Sequence, residues 1–253
     1  MMHSLPDPEP ELDRREQGIP WSIADLIAFA FFFGLTILLL PAITVRIWRL
    51  FNPGLRLSDL TAVDQVLLQG VLNALLVGFI AFLVKVVHRR PFLATIHWFK
   101  DHTFSTGFLV ALGATLALTV LIVSSFFPSK TPPPIERLLS SATAMWVFAV
   151  FGIGIAPLFE EIMFRGFLFK VLSDVSGPAA AVPVTAALFA LLHIPQLWGS
   201  WAGIVLIFFV GYVLSFVRLR SNSLIPSFII HTSYNAMLFG VFALSTLIQR
   251  SLR

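Results

Sequence analysis

Long uncharged runs alternate with short polar segments along most of this chain. In the first half, uncharged windows cover residues 26–45, 65–84 and 103–129. Each window is about as long as the roughly 20 residues that a helix needs to cross the hydrocarbon core of a bilayer. The runs are too long and too uniformly apolar for the alternating strands of a barrel, so they predict transmembrane helices.

The second half carries longer apolar runs. One covers residues 138–159 and continues past a charged cluster to about residue 172. The next, 175–217, holds no Asp, Glu, Lys or Arg over 43 residues, which is enough for two helices. A turn between them is predicted at 195–200, where proline and glycine lie close together. The last run covers 221–249.

Together the runs predict an all-α fold, a polytopic transmembrane helix bundle with seven spans. The bundle has eight spans if the run 138–172 splits at Gly154 and Pro157. Residues 1–20 hold five acids, four prolines and no apolar core, which predicts a disordered polar tail and not a signal peptide. A stiff polar loop at 128–134 separates two predicted groups of transmembrane helices, 21–127 and 135–253.

Composition narrows the class of protein. The chain is 57% hydrophobic and 12% charged, whereas a soluble domain carries about a quarter charged residues. A solenoid, a nucleic-acid binder and an ordinary soluble enzyme are excluded. The basic residues, Arg218 and Arg220 among them, lie in short clusters between apolar runs and are expected to be solvated or to bind lipid headgroups. The absence of cysteine excludes disulfides, thiolate metal sites and a cysteine nucleophile.

Five ionisable side chains interrupt the apolar runs, and all of them belong to the second half: Glu160, Glu161, Arg165, His193 and His231. A charged group inside a span costs about 2.5–3.5 kcal/mol on insertion scales, so such groups are functional hypotheses by default. Their restriction to one half favours a single buried site over the paired repeats of many transporters.

Spacing predicts how these groups are arranged. Glu161 and Arg165 are four residues apart, on one helical face, where they can form an ion pair. Glu160 is rotated from Glu161 by about 100° and points elsewhere. Pro157, just upstream, is expected to kink the helix and open a polar pocket near the glutamates.

Two further pairs have the same spacing, Phe189 with His193 and His231 with Asn235. One carboxylate, two imidazoles and a carboxamide can thus converge from three helices. Such a set fits hydrolysis by a base-activated water with an oxyanion site of His and Asn donors. Alternatively, Glu160, His193 and His231 can hold a zinc ion with an open position for water. The single-helix H-E-x-x-H pattern is absent.

At these residues the chain resembles the CPBP family of intramembrane proteases, which process CAAX proteins and bacteriocins and are related to the Ras-converting CAAX endopeptidase of eukaryotes. The family's E-E-x-x-x-R, F-x-x-x-H and H-x-x-x-N patterns occur here in order: Glu160-Glu161-Ile-Met-Phe-Arg165, Phe189-Ala-Leu-Leu-His193 and His231-Thr-Ser-Tyr-Asn235. The resemblance covers roughly residues 140–240.

The resemblance implies an endopeptidase in which Glu160 and His193 activate the water while His231 and Asn235 form the oxyanion site. Glu161 and Arg165 would then be supporting residues that orient the first glutamate, and Phe189 would line the pocket or support its helix. It implies peptide or lipidated protein substrates, contact with membrane lipids and, for a chain of the prokaryotic branch, a place in the cell membrane. The family's label and its proposed mechanism disagree on zinc, and we favour the metal-independent mechanism.

Two other functions remain open at this point. The intramembrane groups can serve an ion-coupled transporter as a relay, or a non-catalytic scaffold or immunity protein can have kept the fold. Each motif also has a structural interpretation. Glu161 with Arg165 can be an ion pair that fixes packing, and His193 or the pair His231 and Asn235 can join neighbouring helices through hydrogen bonds.

Overall fold

The structure, a computed structural model, describes residues 21–128 except 55, 57, 58 and 101, and residues 142–251. Within these ranges the chain is helical and forms no strand. The helices are α1 Ile23–Trp48, α2 Ala62–Val87, α3 Phe92–Thr95, α4 Thr106–Ser125, α5 142–176, α6 Pro178–His193, α7 Trp201–Ser221 and α8 Leu224–Ser251. The predicted all-α architecture is confirmed.

Six of these helices, α1, α2, α4, α5, α7 and α8, are long and apolar enough to cross a membrane. Helix α6 is apolar but shorter, with 16 residues. It occupies the first half of the uncharged run 175–217, and the predicted turn lies between His193 and Trp201, where α6 ends and α7 begins. The protein is therefore a polytopic membrane bundle.

Polar residues determine where the first two helices begin. At α1 the Ser22 hydroxyl accepts from the Asp25 N–H at 3.3 Å, and the Asp25 carboxylate accepts from the Ser22 N–H at 3.0 Å. Thr61 and Asp64 form the same capping box at α2. Both acids satisfy backbone groups that a helix leaves unpaired at its N-terminus, which explains their position at the span starts.

Helix α5 runs through Gly154 and Pro157 without a break. The split that would give eight spans therefore does not occur in this helix. It contains two π-helical segments, Phe151–Ile155 and Ile162–Leu168, on either side of a short α segment. In a π turn the N–H bonds the carbonyl five residues back, so the helix widens locally. Pro157 follows the first π turn, and the helix accommodates its missing N–H there by widening.

Small residues allow two close helix pairs in the second half. Helix α8 packs along α4, where a Cβ added at Gly113 would lie 2.4 Å from the Ile230 carbonyl oxygen. Helix α6 packs along α7, where a Cβ at Gly211 would lie 3.2 Å from the Phe189 ring. The two contacts set the separation between α4 and α8 and that between α6 and α7.

An aromatic core joins the first half of the chain to α5. The Phe167 ring is fully buried and contacts Trp21 edge-on at 5.0 Å and Phe29 at 4.9 Å between ring centroids. Phe189 of α6 and Ile80 of α2 belong to the same cluster. The N-terminal helices thus pack against the segment of α5 that carries the glutamates.

The predicted tail 1–20 and residues 129–134 of the predicted loop lie outside the described residues. The division into two groups of helices remains a prediction.

Candidate functional site

Glu161 and Arg165 form a buried ion pair on α5. Both side chains are 0% exposed, and Arg165 Nη1 lies 3.0 Å from Glu161 Oε1. Arg165 Nη2 also donates to the Gly211 carbonyl oxygen of α7 at 3.1 Å. Burying two charges is favourable only where the geometry and further hydrogen bonds offset desolvation. The four-residue spacing brings the two groups together, and α7 supplies an additional acceptor.

His231 of α8 lies between the two glutamates. Its Nδ1 is 2.9 Å from Glu161 Oε1, and its Nε2 is 3.6 Å from Glu160 Oε2. A carboxylate oxygen only accepts, so Nδ1 carries a proton and donates to Glu161. Nε2 is then a hydrogen-bond acceptor in the neutral ring and a donor in the imidazolium.

The adjacent glutamates differ in their access to the surroundings. The Glu160 side chain is 22% exposed, whereas that of Glu161 is fully enclosed. The rotation of about 100° between neighbouring helical residues accounts for this difference. Glu160 is therefore the carboxylate that a water molecule or a substrate can reach.

Phe189 and His193 contribute from α6. His193 is half-buried, and its Nδ1 lies 2.8 Å from the Phe189 carbonyl oxygen. A carbonyl only accepts, so this contact leaves Nε2 of a neutral ring as the acceptor. The Phe189 ring centroid lies 4.4 Å from that of His193 and 5.7 Å from that of His231, and the Arg165 guanidinium lies 4.6 Å from it. Phe189 thus links the three motifs through its ring.

Asn235 lies one turn beyond His231 on α8 and bonds the backbone of α5. Its Nδ2 donates to the Gly152 carbonyl oxygen at 2.6 Å. That carbonyl has no helical partner, because the Ala156 N–H bonds Phe151 and Pro157 has no N–H. One of the two amide N–H groups of Asn235 is therefore used, and the other remains for a further acceptor.

The zinc hypothesis can be tested on the donor set itself. Within the described residues no group of three or more His, Asp or Glu side chains has an arrangement that could hold a metal ion. Nδ1 of His193 bonds a carbonyl and Nδ1 of His231 bonds Glu161, so Nε2 of each ring is the nitrogen that a metal ion would meet. Zinc binding by Glu160, His193 and His231 therefore stays a prediction.

One buried cation differs from its sequence-based expectation. Arg218 is 1% exposed and is not a headgroup anchor, whereas Arg220 is exposed as expected. Arg218 Nε donates to the Arg165 carbonyl oxygen at 3.2 Å. The sequence around Arg218 and Arg220 does not distinguish the two residues. The packing of α7 on α5 buries the first and leaves the second exposed.

Comparisons with known proteins identify the same region of the chain. The family described as type II CAAX prenyl endopeptidase Rce1-like matches residues 142–237, the stretch that contains every motif residue. The UPF0177 protein YxdF of Lactococcus lactis is 30% identical over 155 residues, which cover 61% of this chain and 80% of that protein. No solved structure gives a significant match.

A multi-pass helical bundle and a protease family together support an integral membrane endopeptidase that meets lipids and a peptide substrate. The relative YxdF comes from a bacterium. Because the family match covers all three motifs and the bacterial relative is aligned over 80% of its length, the chain belongs to the CPBP family of Rce1-like, CAAX-type intramembrane proteases.

Proposed function

We propose that this protein hydrolyses peptide bonds of membrane-associated substrates with a water molecule activated by Glu160 and His193. One observation carries the proposal: the Glu160 side chain is partly exposed and that of Glu161 is fully buried, while both carboxylates lie beside the imidazole of His231. The charge of Glu161 is compensated by Arg165, so Glu160 keeps a carboxylate that can accept a proton.

The water is activated by two acceptors on different helices. Glu160 accepts one proton, and Nε2 of neutral His193 accepts a hydrogen bond that orients the same water. The oxygen attacks the peptide carbonyl carbon, and the negative charge moves to the carbonyl oxygen. When the tetrahedral intermediate collapses, Glu160 returns its proton to the leaving amine nitrogen, so charge and protons balance.

His231 and the free N–H of Asn235 are the donors for the oxyanion. Since Nδ1 of His231 already donates to Glu161, Nε2 donates only in the imidazolium form. Glu161 fixes the orientation of that ring, because its carboxylate accepts from Nδ1 at 2.9 Å. Glu161 therefore acts through His231, and Arg165 keeps Glu161 in place.

An apolar groove supports a substrate with a hydrophobic segment. It has a volume of about 670 Å³ and lies between α2 and α5, and Phe159, the residue before Glu160, is one of the residues that line it. Val66, Gly70 and Val150 line it, so an apolar chain fits better than a polar one. A lipidated CAAX terminus and a membrane-anchored peptide both meet this requirement.

The test is cleavage of membrane-anchored and CAAX-like peptides by detergent-purified protein, with and without a chelator. Glu160→Gln and His193→Ala are expected to lose cleavage, and the chelator is expected to have no effect. Asp174→Asn is the matched control, because this exposed acid lies on the same helix as Glu160.

Cleavage by Glu160→Gln at the wild-type rate would overturn the assignment of the base. Loss on chelation with recovery in zinc would replace the metal-independent mechanism. Equal binding of the peptides by wild type and both variants, with no cleavage by any of them, would favour a non-catalytic scaffold.

A further inference from the structure

Arg218 lies outside the three motifs and is a buried cation without a carboxylate partner. Its side chain is among the largest fully buried ones, and no ion pair in the described part of the chain includes it. An unpaired charge inside a membrane bundle is costly and needs a specific reason. The contacts of its guanidinium group supply that reason.

The first contact is with the second π turn of α5. The Phe169 N–H bonds the Phe164 carbonyl, five residues back, and not the Arg165 carbonyl, four residues back. The Arg165 carbonyl therefore loses the partner that it would have in an α-helix. Nε of Arg218 donates to it at 3.2 Å, so the buried carbonyl is satisfied from α7.

A second hydrogen bond runs between the same helices in the opposite direction. Arg165 Nη2 donates to the Gly211 carbonyl oxygen of α7 at 3.1 Å. The Arg218 side chain thus bonds the backbone of Arg165, while the backbone of α7 bonds the guanidinium group of Arg165. Together the two bonds fix Arg165 at both ends.

The position of Arg165 in turn determines where Glu161 and His231 lie. Its Nη1 lies 3.0 Å from Glu161 Oε1, the same oxygen that lies 2.9 Å from Nδ1 of His231. If Arg165 or Glu161 is displaced by about 1 Å, the direction in which His231 Nε2 points changes. A catalytic group misplaced by that distance lowers the rate on the order of 100-fold.

The other end of Arg218 contacts the turn that precedes α8. Nη1 lies 3.4 Å from Asn222 Oδ1, and Asn222 has a left-handed backbone with φ of 52°. The Asn222 carbonyl accepts from Nδ1 of His97 at 3.1 Å. Burial, together with the positive charge of Arg218, lowers the pKa of His97 to about 4, so the ring is neutral and donates through Nδ1. Arg218 therefore joins the π turn of α5 to the start of the helix that carries His231.

We propose that Arg218 is a positioning residue for this protease: it holds the π turn Ile162–Leu168 so that Glu161 meets His231 in the reactive orientation. The proposal rests on the proposed function for its kinetic consequences. The predicted orientation of His231 against Glu161 can be measured without any cleavage.

The kinetic test compares Arg218→Met, Arg218→Lys and the control Arg220→Met on the same peptide. We expect Arg218→Met to lower kcat by about 10- to 100-fold with KM nearly unchanged, because the substrate groove is untouched. Lysine can still donate to the Arg165 carbonyl, so Arg218→Lys is expected to recover much of kcat. Arg220→Met is expected to behave as wild type, because Arg220 is exposed.

The spectroscopic test observes His231 in protein labelled with ¹⁵N-histidine, with His231→Gln to assign the signal. A ring N–H that donates to a carboxylate gives a strongly downfield proton, which we expect in wild type and Arg220→Met and which shifts or broadens in Arg218→Met. If Arg218→Met does not fold, Arg218→Lys and Asn222→Gly test the contact with the turn while a donor to the Arg165 carbonyl remains.

The outcomes separate the two proposals. An unchanged His231 signal and unchanged kcat in folded Arg218→Met would overturn the positioning role. A wild-type rate for Glu160→Gln with a shifted His231 signal in Arg218→Met would overturn the proposed function and leave the positioning role in place. A lower unfolding temperature with an unchanged kcat per folded molecule would reduce Arg218 to a packing residue and overturn the proposal.

Discussion

At each of the two π turns of α5 one carbonyl loses the partner that it would have in an α-helix, and the two carbonyls accept from different donors on other helices. At the first turn the Gly152 carbonyl accepts from the half-buried amide of Asn235, a neutral group on α8. At the second, the Arg165 carbonyl accepts from the buried guanidinium of Arg218, a cation on α7. The first donor keeps an N–H free beside His231, whereas the second donor is enclosed behind the site.

This difference separates an open face of α5 from a closed one. The open face carries Glu160 and meets Asn235, and the closed face carries Glu161 and Arg165 and meets Arg218. Groups on the open face can exchange their partners for water or substrate, while groups on the closed face keep theirs. We therefore expect open-face substitutions to reduce activity and closed-face substitutions to reduce activity and stability together.

The largest effect on activity is expected for Glu160→Gln. Removal of a general base lowers the rate by about 10²- to 10⁴-fold, and the loss of an open-face charge leaves the unfolding temperature near that of wild type. Peptide cleavage and thermal unfolding in the same detergent measure the two quantities. A large drop in unfolding temperature would mean that Glu160 belongs to the closed face.

The largest effect on stability is expected for Glu161→Gln. It leaves Arg165 buried without a carboxylate, which costs about 3–5 kcal/mol of unfolding free energy. The double variant Glu161→Leu with Arg165→Met removes both charges and is expected to regain most of the stability while remaining inactive. Denaturant unfolding and cleavage assays would distinguish the two variants. Activity in the double variant would show that the closed face serves packing alone.

A smaller effect is expected for Asn235→Ala. It leaves the Gly152 carbonyl unpaired at a cost of about 1–3 kcal/mol and removes an oxyanion donor worth about 10²- to 10³-fold in rate. Pro157→Ala restores an N–H that can bond Gly152, five residues back. In that background Asn235→Ala should cost less stability but as much activity, and a double-mutant cycle measures this coupling. Equal stability costs in both backgrounds would contradict the explanation.

The smallest effect concerns His97, on the loop that contacts the start of α8. Its pKa in the folded protein, about 4, lies below the usual 6.5, chiefly because of burial. The unfolded chain therefore binds the proton first, and stability decreases as the pH falls from about 6.5 towards 4. His97→Gln, which can still donate to the Asn222 carbonyl, should lose this part of the pH dependence. If the unfolding free energies of the two proteins changed with pH in the same way between these values, the prediction would be refuted.

The sequence is sufficient to predict the spans and to select the motif residues, for physical reasons. A bilayer sets the length of an apolar helix, and an ionisable group inside it is rare enough to be noticed. The spacing of Glu161 and Arg165 is a local property of a helix, and the ion pair follows from it. The roles assigned to Glu160, His193, His231 and Asn235 remain predictions, which the variants above test.

What could not be predicted depends on contacts between distant segments. The π turns exist where a donor from another helix satisfies the freed carbonyl, and Asn235 lies 83 residues from Gly152. The burial of Arg218 and the exposure of Arg220 depend on which face of α7 meets α5. The contact between His231 and Glu161 spans 70 residues and has no local signature.

Pro157 and the first π turn also determine which changes in length α5 tolerates. A π turn contains about one residue more than the corresponding α turn, and deleting that residue rotates everything before it by about 100° relative to everything after it. A deletion within Phe151–Ile155 would therefore turn the wall of the apolar groove at Val150 away from α2 while Glu160 stayed in place. Because the same segment contains Gly152, the acceptor of Asn235, variation in its length should change both which substrates reach the site and where the oxyanion donor lies.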